Sequence, residues 1–425
     1  MYRFYYFLCL LLLSSPLHLW AQETVLRGKV LDAATDALIP FATLGIAGKT
    51  GTVSNENGEF ELHLPDDMRQ DSLIVSSIGY YNQSYSLIDL QNPQAFNVRL
   101  QARAYFLTEV AILKARLSAE EIVQKAIDRI GQNYIDQAFM GDGFYREYFK
   151  ENGQFAAFAE AALTVYDLNG YGRVANDESK KKEIVQLNEM RVSDICNKGN
   201  YVLYIDINYA LRGNMLRNAD YWQRYFKRGK YHTEYLQIDS ITAADRDTVF
   251  CIGYKMRSNK YGTYEGRLFI RTKDYAVLRI ELTAINSLRG REENGAPYKS
   301  KAIMTYREHQ GKLYLNYLNA SHEVSYRSND AQTYNLVFFS ELLINNVQTN
   351  KVQPPPPQAA MNEKSIFYQP RYRSYDPDFW TNYNLFEDSE ANDSIIADLE
   401  QQRSLEIQYR ANGKMKTQRY NSSGD

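Results

Sequence analysis

The hydrophobic positions fall into three regimes along the chain. Between Glu23 and Leu100, short β-prone runs are punctuated by turn residues: 25–30, 41–46, 52–53, then Phe60, Leu62 and Leu64 in strict alternation, and finally 73–75 and 96–100. Period-two alternation puts every second side chain on one face of a strand. Asn57-Gly58, just ahead of the alternating run, signals a hairpin, because that turn needs positive φ at its central residues. Several strands within ~80 residues, without helical spacing, predict an antiparallel sandwich. Helical spacing then appears at Ile122, Val123, Ala126, Ile127 and Ile130. These follow Ser118-Ala119-Glu120-Glu121, which reads as a capping box, and Gly131 reads as the stop.

From Gly143 the strand pattern returns at 144–149, 153–165, 201–207, 249–256, 264–271, 276–284, 301–306, 313–318, 322–326 and 334–343. Asn152-Gly153 and Gln310-Gly311 supply hairpin turns. Ten or so such strands form either a barrel or a large antiparallel sheet, curved and partly open like a half-barrel. Four consecutive prolines, Pro354 to Pro357, then stiffen a spacer. Beyond them Phe379-Trp380 is expected to pack onto the sheet, and Ile395, Ile396 and Leu399 predict one short helix starting near Asp393. The fold class is mainly β, divided into a leader (1–21), a sandwich (23–101), a linking helix (115–132), a large antiparallel β domain (140–350) and a Pro-rich linker and tail (353–425).

The leader sets the compartment. Arg3 precedes the apolar run 4–13, Ser14-Ser15-Pro16 breaks it, and small Ala21 offers a cleavage point, the layout of a secretory signal peptide. The run is half the ~20 residues needed to cross a bilayer. The mature protein is therefore expected to be exported, to the periplasm or the outer-membrane periphery. Export leaves Cys196 and Cys251. They either form a disulfide, closing a loop of about 56 residues worth roughly 4 kcal/mol in the chain-entropy model, or remain small buried hydrophobes. With 49 Lys and Arg against 51 Asp and Glu, the chain is near neutral and has no electrostatic footprint for nucleic acid. Thirty-five tyrosines against three tryptophans suit half-buried pleated surfaces.

Four motifs carry a resemblance: Gly28-Lys29-Val30-Leu31-Asp32, Ile39-Pro40-Phe41-Ala42-Thr43-Leu44, Gly51-Thr52-Val53 leading to Gly58-Glu59-Phe60, and Val75-Ser76-Ser77-Ile78-Gly79-Tyr80. In order and spacing they resemble the carboxypeptidase regulatory-like domain found in exported cell-envelope proteins of the Bacteroidota. The resemblance implies a transthyretin-like sandwich of seven strands that carries no peptidase chemistry. The family pattern has Asp in the turn before Gly58 where this chain has Asn55, which makes the same local bond to backbone. Further on, Gly266-Arg267-Leu268-Phe269-Ile270 and Tyr275-Ala276-Val277-Leu278-Arg279-Ile280-Glu281 resemble the half-barrels of periplasmic lipoprotein carriers and outer-membrane lipoprotein-sorting proteins. That likeness implies an apolar concave face able to shelter acyl chains.

Catalytic motifs do not emerge from the sequence. Gly48-Lys49-Thr50 mimics the end of a phosphate loop, but Thr43 stands where its first glycine belongs. The Gly-x-Ser-x-Gly elbow, Cys-x-x-Cys and glycine-rich dinucleotide fingerprints are missing. None of His63, His232, His309 and His322 has Glu three residues on, as a helix-borne zinc pair requires, so they read as surface histidines, and neither metal nor cofactor is expected. One aromatic-basic run stands out as a candidate ligand or partner surface: Tyr221, Trp222, Arg224, Tyr225 and Phe226. Its plainer reading is an amphipathic cover over the sheet. The chain therefore reads as a non-enzymatic envelope binding or adaptor protein, with a lipid-like ligand or a partner segment held in the β domain and outer-membrane proteins as partners. The alternative is a hydrolase of envelope polymers, using a carboxylate pair that only the fold brings together.

Overall fold

The computed structural model describes residues 24–46, 49–64, 66–90, 93–103, 117–171, 183–196, 207, 211, 213–217, 232–244, 247–258, 262–286, 298–327, 331–357, 359–361, 375–381, 383 and 389–412. The leader, most of the strand expected at 201–207 and the frayed end lie outside them.

The first module has seven strands in two sheets. β1 (Thr24–Asp32) pairs with β4 (Glu59–Leu64) on one side and β7 (Val98–Leu100) on the other, while β3 (Thr50–Val53), β2 (Thr43–Ile46), β5 (Ser72–Ser76) and β6 (Gln83–Ser86) form the second sheet. One pairing, β1 with β7, is parallel where an all-antiparallel sandwich was expected. Leu26, Val30, Leu44, Phe60, Leu62, Leu73, Val75 and Val98 fill the space between the sheets. Gly58 has φ 69°, as the Asn-Gly signal requires. The turn is not a hairpin, however: β3 pairs with β2 and β4 with β1, so it is a corner where the chain changes sheets. Asn55 braces it, its Oδ1 accepting from the amides of Asn57 and Glu59 at 2.9 Å each.

The linking helix α1 (Ala119–Asp128) starts in a complete capping box: the Glu121 amide donates to Ser118 Oγ at 3.2 Å and the Ser118 amide to Glu121 Oε2 at 2.8 Å. It ends at Arg129 rather than at Gly131, which lies inside a second helical turn, α2 (Ile130–Asn133).

The second module is one ten-stranded antiparallel sheet. Its strands are β8 (Phe139–Glu151), β9 (Gln154–Asp167), β10 (Glu183–Val192), β11 (His232–Ala244), β12 (Asp247–Ser258), β13 (Gly262–Arg271), β14 (Val277–Asn286), β15 (Tyr298–His309), β16 (Lys312–Arg327) and β17 (Thr333–Gln348). Their order is β10-β9-β8-β17-β16-β15-β14-β13-β12-β11, so β10 and β11 are edges and no barrel closes. Both expected hairpin turns carry positive φ at both positions, 52° and 86° at Asn152-Gly153 and 50° and 80° at Gln310-Gly311. The runs 313–318 and 322–326 belong to a single strand, β16. Register shifts recur between neighbouring strands, and such bulges bend and twist the strands that carry them.

The outer face is largely taken up by the chain itself. The sandwich lies against its middle: the Phe41 ring is 5.9 Å from that of Tyr317, Asn345 Nδ2 donates to the Gly51 carbonyl at 2.9 Å, and the Arg279 guanidinium stands 5.5 Å from the Phe41 ring. The tail, with helices α3 (Pro377–Thr381), α4 (Ser389–Leu399) and a third at 405–412, covers β8 to β10. Phe379-Trp380 does dock: Trp380 is buried against Phe144, with the Arg191 guanidinium 4.7 Å over its ring. After the prolines, the Met361 amide donates to the Val185 carbonyl at 2.7 Å and Ala360 bridges to Gln186, which caps part of the β10 edge.

Candidate functional site

Strand register sorts the inner face, the one that carries α1, into rows running across the sheet. One row crosses all ten strands: Met190, Ala161, Tyr145, Leu342, Leu318, Met304, Ile280, Leu268, Ile252 and Ile238. It is almost wholly buried and merges with Ile122, Val123, Ala126 and Ile127 of α1 into one core. Tyr134, just beyond α2, anchors the helical segment: its hydroxyl donates to the Val277 carbonyl at 2.6 Å, and its ring packs against Tyr171 and Tyr306.

Two residues along each strand, the next row differs. In its middle Ala320, Ala302 and Leu282 are adjacent in register and only half-buried, flanked by Ser340 on one side and Gly266 on the other. Small side chains leave space above the sheet where the previous row is filled. Gly266 is required here: a Cβ would collide with the Glu281 carbonyl oxygen, and the Tyr254 hydroxyl crosses this strand to donate to that same oxygen at 3.0 Å. The third row is bulky at its ends, with Phe149 and Phe338 on one side and Tyr264 on the other, and reads His322, Ser300 and Ala284 between them. Phe149 and Phe338 belong to a second apolar cluster with Tyr334 and Leu336. Thus a half-open apolar stretch, Ala320, Ala302 and Leu282, lies between the filled row on one side and His322, Ser300 and Ala284 on the other, with Phe149 and Phe338 at its β8–β17 end. His322 lies at its border, its Nδ1 2.8 Å from Ser300 Oγ, and burial pushes it down to about 4, so the ring is neutral near pH 7.

The outer face is patterned by charge. Its corresponding row reads Arg191, Glu160, Arg146, Glu341, Asn319, Ile303, Glu281 and Arg267. Under the tail, Glu160 is fully buried between Arg146, at 2.8 Å, and Arg191. Burial raises its pKa, but the two guanidiniums outweigh that and hold the carboxyl below its ordinary value. Glu341 accepts from the Tyr317 hydroxyl at 2.6 Å; on the opposite, inner face, at the end of β9, Asp167 is clamped by Arg217.

The aromatic-basic run Tyr221, Trp222, Arg224, Tyr225 and Phe226 lies outside the described residues. Cys196 and Cys251 are both free thiols, the first exposed and the second buried in β12. The histidines are not all on the surface: His63 is buried beside Glu61 within the sandwich, and His322 lines the inner face. Burial pushes Glu61 up, and the hydrogen bonds from His63 and Arg27 more than reverse it. No three His, Cys, Asp or Glu side chains among the described residues are placed to hold a metal ion. The half-open band is not legible in the sequence because its members lie about 20 residues apart, on separate strands.

The seven-stranded module defines the first class: residues 26–112 match the CarboxypepD_reg-like domain family. The β-rich region after it is structurally similar to LolA-superfamily and DUF1329 proteins. A LolA superfamily protein from Nitrosomonas europaea is 12% identical and its match covers 56% of this chain and 96% of that one, with a TM-score of 0.22. A DUF1329 family protein from Desulfovibrio piger is 8% identical, with 55% and 93% covered and a TM-score of 0.26. A putative outer membrane lipoprotein-sorting protein domain from Vibrio parahaemolyticus is 8% identical, with 55% and 94% covered and a TM-score of 0.23. No curated protein matches the chain.

Proposed function

We propose that the ten-stranded module is a non-enzymatic binding module that holds a lipid-like apolar chain on its inner face. We propose further that the protein is exported and works in the periplasm or at the outer-membrane periphery, with outer-membrane proteins as partners. The observation that carries the reading is the half-exposed run Leu282, Ala302 and Ala320 beside an almost wholly buried row. Apolar surface left partly open within a core is favourable to cover, at about 0.8 kcal/mol per methylene buried, before the cost of immobilising the ligand. Among the described residues, the sandwich and the tail cover the apolar middle of the outer face, Phe144, Tyr317 and Leu343.

The test is to purify the exported form from its own host and extract it with organic solvent. The expected result is co-extracted lipid at a fixed ratio to protein. Lipid-free protein that also refuses a fluorescent fatty acid after mild delipidation contradicts the reading.

A further inference from the structure

The outer charge row has an uncovered half, and it is a second candidate site. Between the sandwich and the far end of β11 to β15 lies a trough of about 640 Å³, lined by Asp239, Lys255, Glu265, Arg267, Glu281 and Lys301. The floor is lowered at Gly253, where a Cβ would collide with the Asp239 carboxylate and the Tyr235 ring, both folded over the glycine. Tyr235 donates to Asp239, which fixes the ring at the trough's end.

The covered and open halves differ in how their charges are engaged. Under the tail, Arg146 meets Glu160 at 2.8 Å with hydrogen-bond geometry. In the trough, Glu281 is held by Arg279 at 2.8 Å, but the Lys255–Glu265 and Arg267–Glu281 pairs stand at 3.7 and 4.0 Å, beyond hydrogen-bond reach. Lys255, Glu265 and Arg267 make no side-chain hydrogen bond among the described residues, and Lys301 has neither hydrogen bond nor ion pair among them. The trough therefore presents converging donors and acceptors with capacity to spare. Three cations and three carboxylates sum to zero, so no field favours an anion or a cation.

We propose that this trough binds a neutral saccharide. Vicinal hydroxyls both donate and accept, so each adjacent pair satisfies a carboxylate and a neighbouring ammonium or guanidinium at once. A net-neutral polar surface gives no such advantage to a fatty acid or a phosphate. The Tyr235 ring offers an apolar face for a pyranose ring at one end. The volume suits two or three sugar units within the range of ordinary ligand sites. The site is separate from the lipid-like reading, being on the opposite face of the sheet.

The experiment is calorimetric titration of the full mature chain with cellotriose, maltotriose and chitotriose, and with a soluble glucan polymer to separate free sugar from polymer as source. The expected result is binding of at least one with a Kd of about 1 mM or tighter, weakened about tenfold in the double variant Arg267→Ala, Lys301→Ala. Lys273→Ala, outside the trough, serves as control and binds as wild type. Both altered side chains are exposed, so the fold is expected to survive, and an unchanged melting curve verifies it. Absence of binding to every sugar at about 10 mM, undiminished binding by the double variant, or binding only of a mixed-charge peptide overturns the proposal. None of these outcomes bears on fatty-acid uptake by the inner face, which the same preparation reports independently.

Discussion

Glu160 is closed on by two guanidiniums that come from β8 and β10, 14 residues before it and 31 after it. Removing its charge leaves Arg146 and Arg191 buried against one another, and loss of one member of a buried ionic group costs about 3–5 kcal/mol. Glu160→Gln is expected to lower the free energy of unfolding in urea by that amount, and Glu160→Gln with Arg146→Met to recover part of it. His322 gives a second prediction with a definite sign. Its pKa is depressed in the folded state to about 4 from 6.5. Above pH 6.5 the ring is neutral folded or unfolded and contributes nothing. As pH falls from 6.5 toward 4 the unfolded chain takes up a proton that the folded chain refuses, so stability declines by at most about 1.4 kcal/mol per pH unit. The pH dependence of stability over that window is expected to flatten in His322→Gln. A slope unchanged by the substitution contradicts the assignment. Neither residue's role was legible in the sequence, because both depend on cross-strand register. Asn55 was legible: its bonds to Asn57 and Glu59 are local and follow from residue type alone.

Among the elements, α1 was read correctly at its start because capping is a local transaction between Ser118 and Glu121. Ser118→Ala is expected to cost about 1 kcal/mol, measurable as a lowered melting temperature in calorimetry. The stop at Gly131 was misread, since helical turns continue to Asn133 and bring Tyr134 beneath the sheet. β10 and β11 escaped notice for one shared reason. In β10 the inward residues are Val185 and Leu187, then, after a bulge, Met190 and Val192. In β11 they are Leu236 and Ile238, then, after another, Ile241. Each bulge inserts a residue and inverts the parity of the pattern, so a period-two search sees no strand. β12 has no register shift against β13 and was read nearly end to end.

In the whole molecule, the sandwich and the tail meet on one face of the sheet, while the other carries α1, α2 and, among the described residues of the segment between β10 and β11, Ile207, Leu211, Met215 and Leu216 in the same core. The sandwich motifs announced themselves because they cluster within 80-odd residues, whereas the contact of Phe41 with Tyr317 joins positions far apart and has no sequence signature. Phe41 also has φ 57°, uncommon for a bulky residue, at the point where the sandwich touches the sheet. With the sandwich and the tail on the outer face, the half-open apolar stretch Leu282, Ala302 and Ala320 of β14 to β16 is the opening for an apolar ligand among the described residues. Filling that band is the most direct trial of the account. Fluorescence titration with a conjugated fatty acid is expected to show saturable, one-to-one uptake by the wild-type mature chain. The variant Ala302→Trp, Ala320→Trp, shown by circular dichroism to keep its strands, is expected to lose at least tenfold in affinity. Equal uptake by the filled variant, or none by the wild type, contradicts an inner face built to hold lipid.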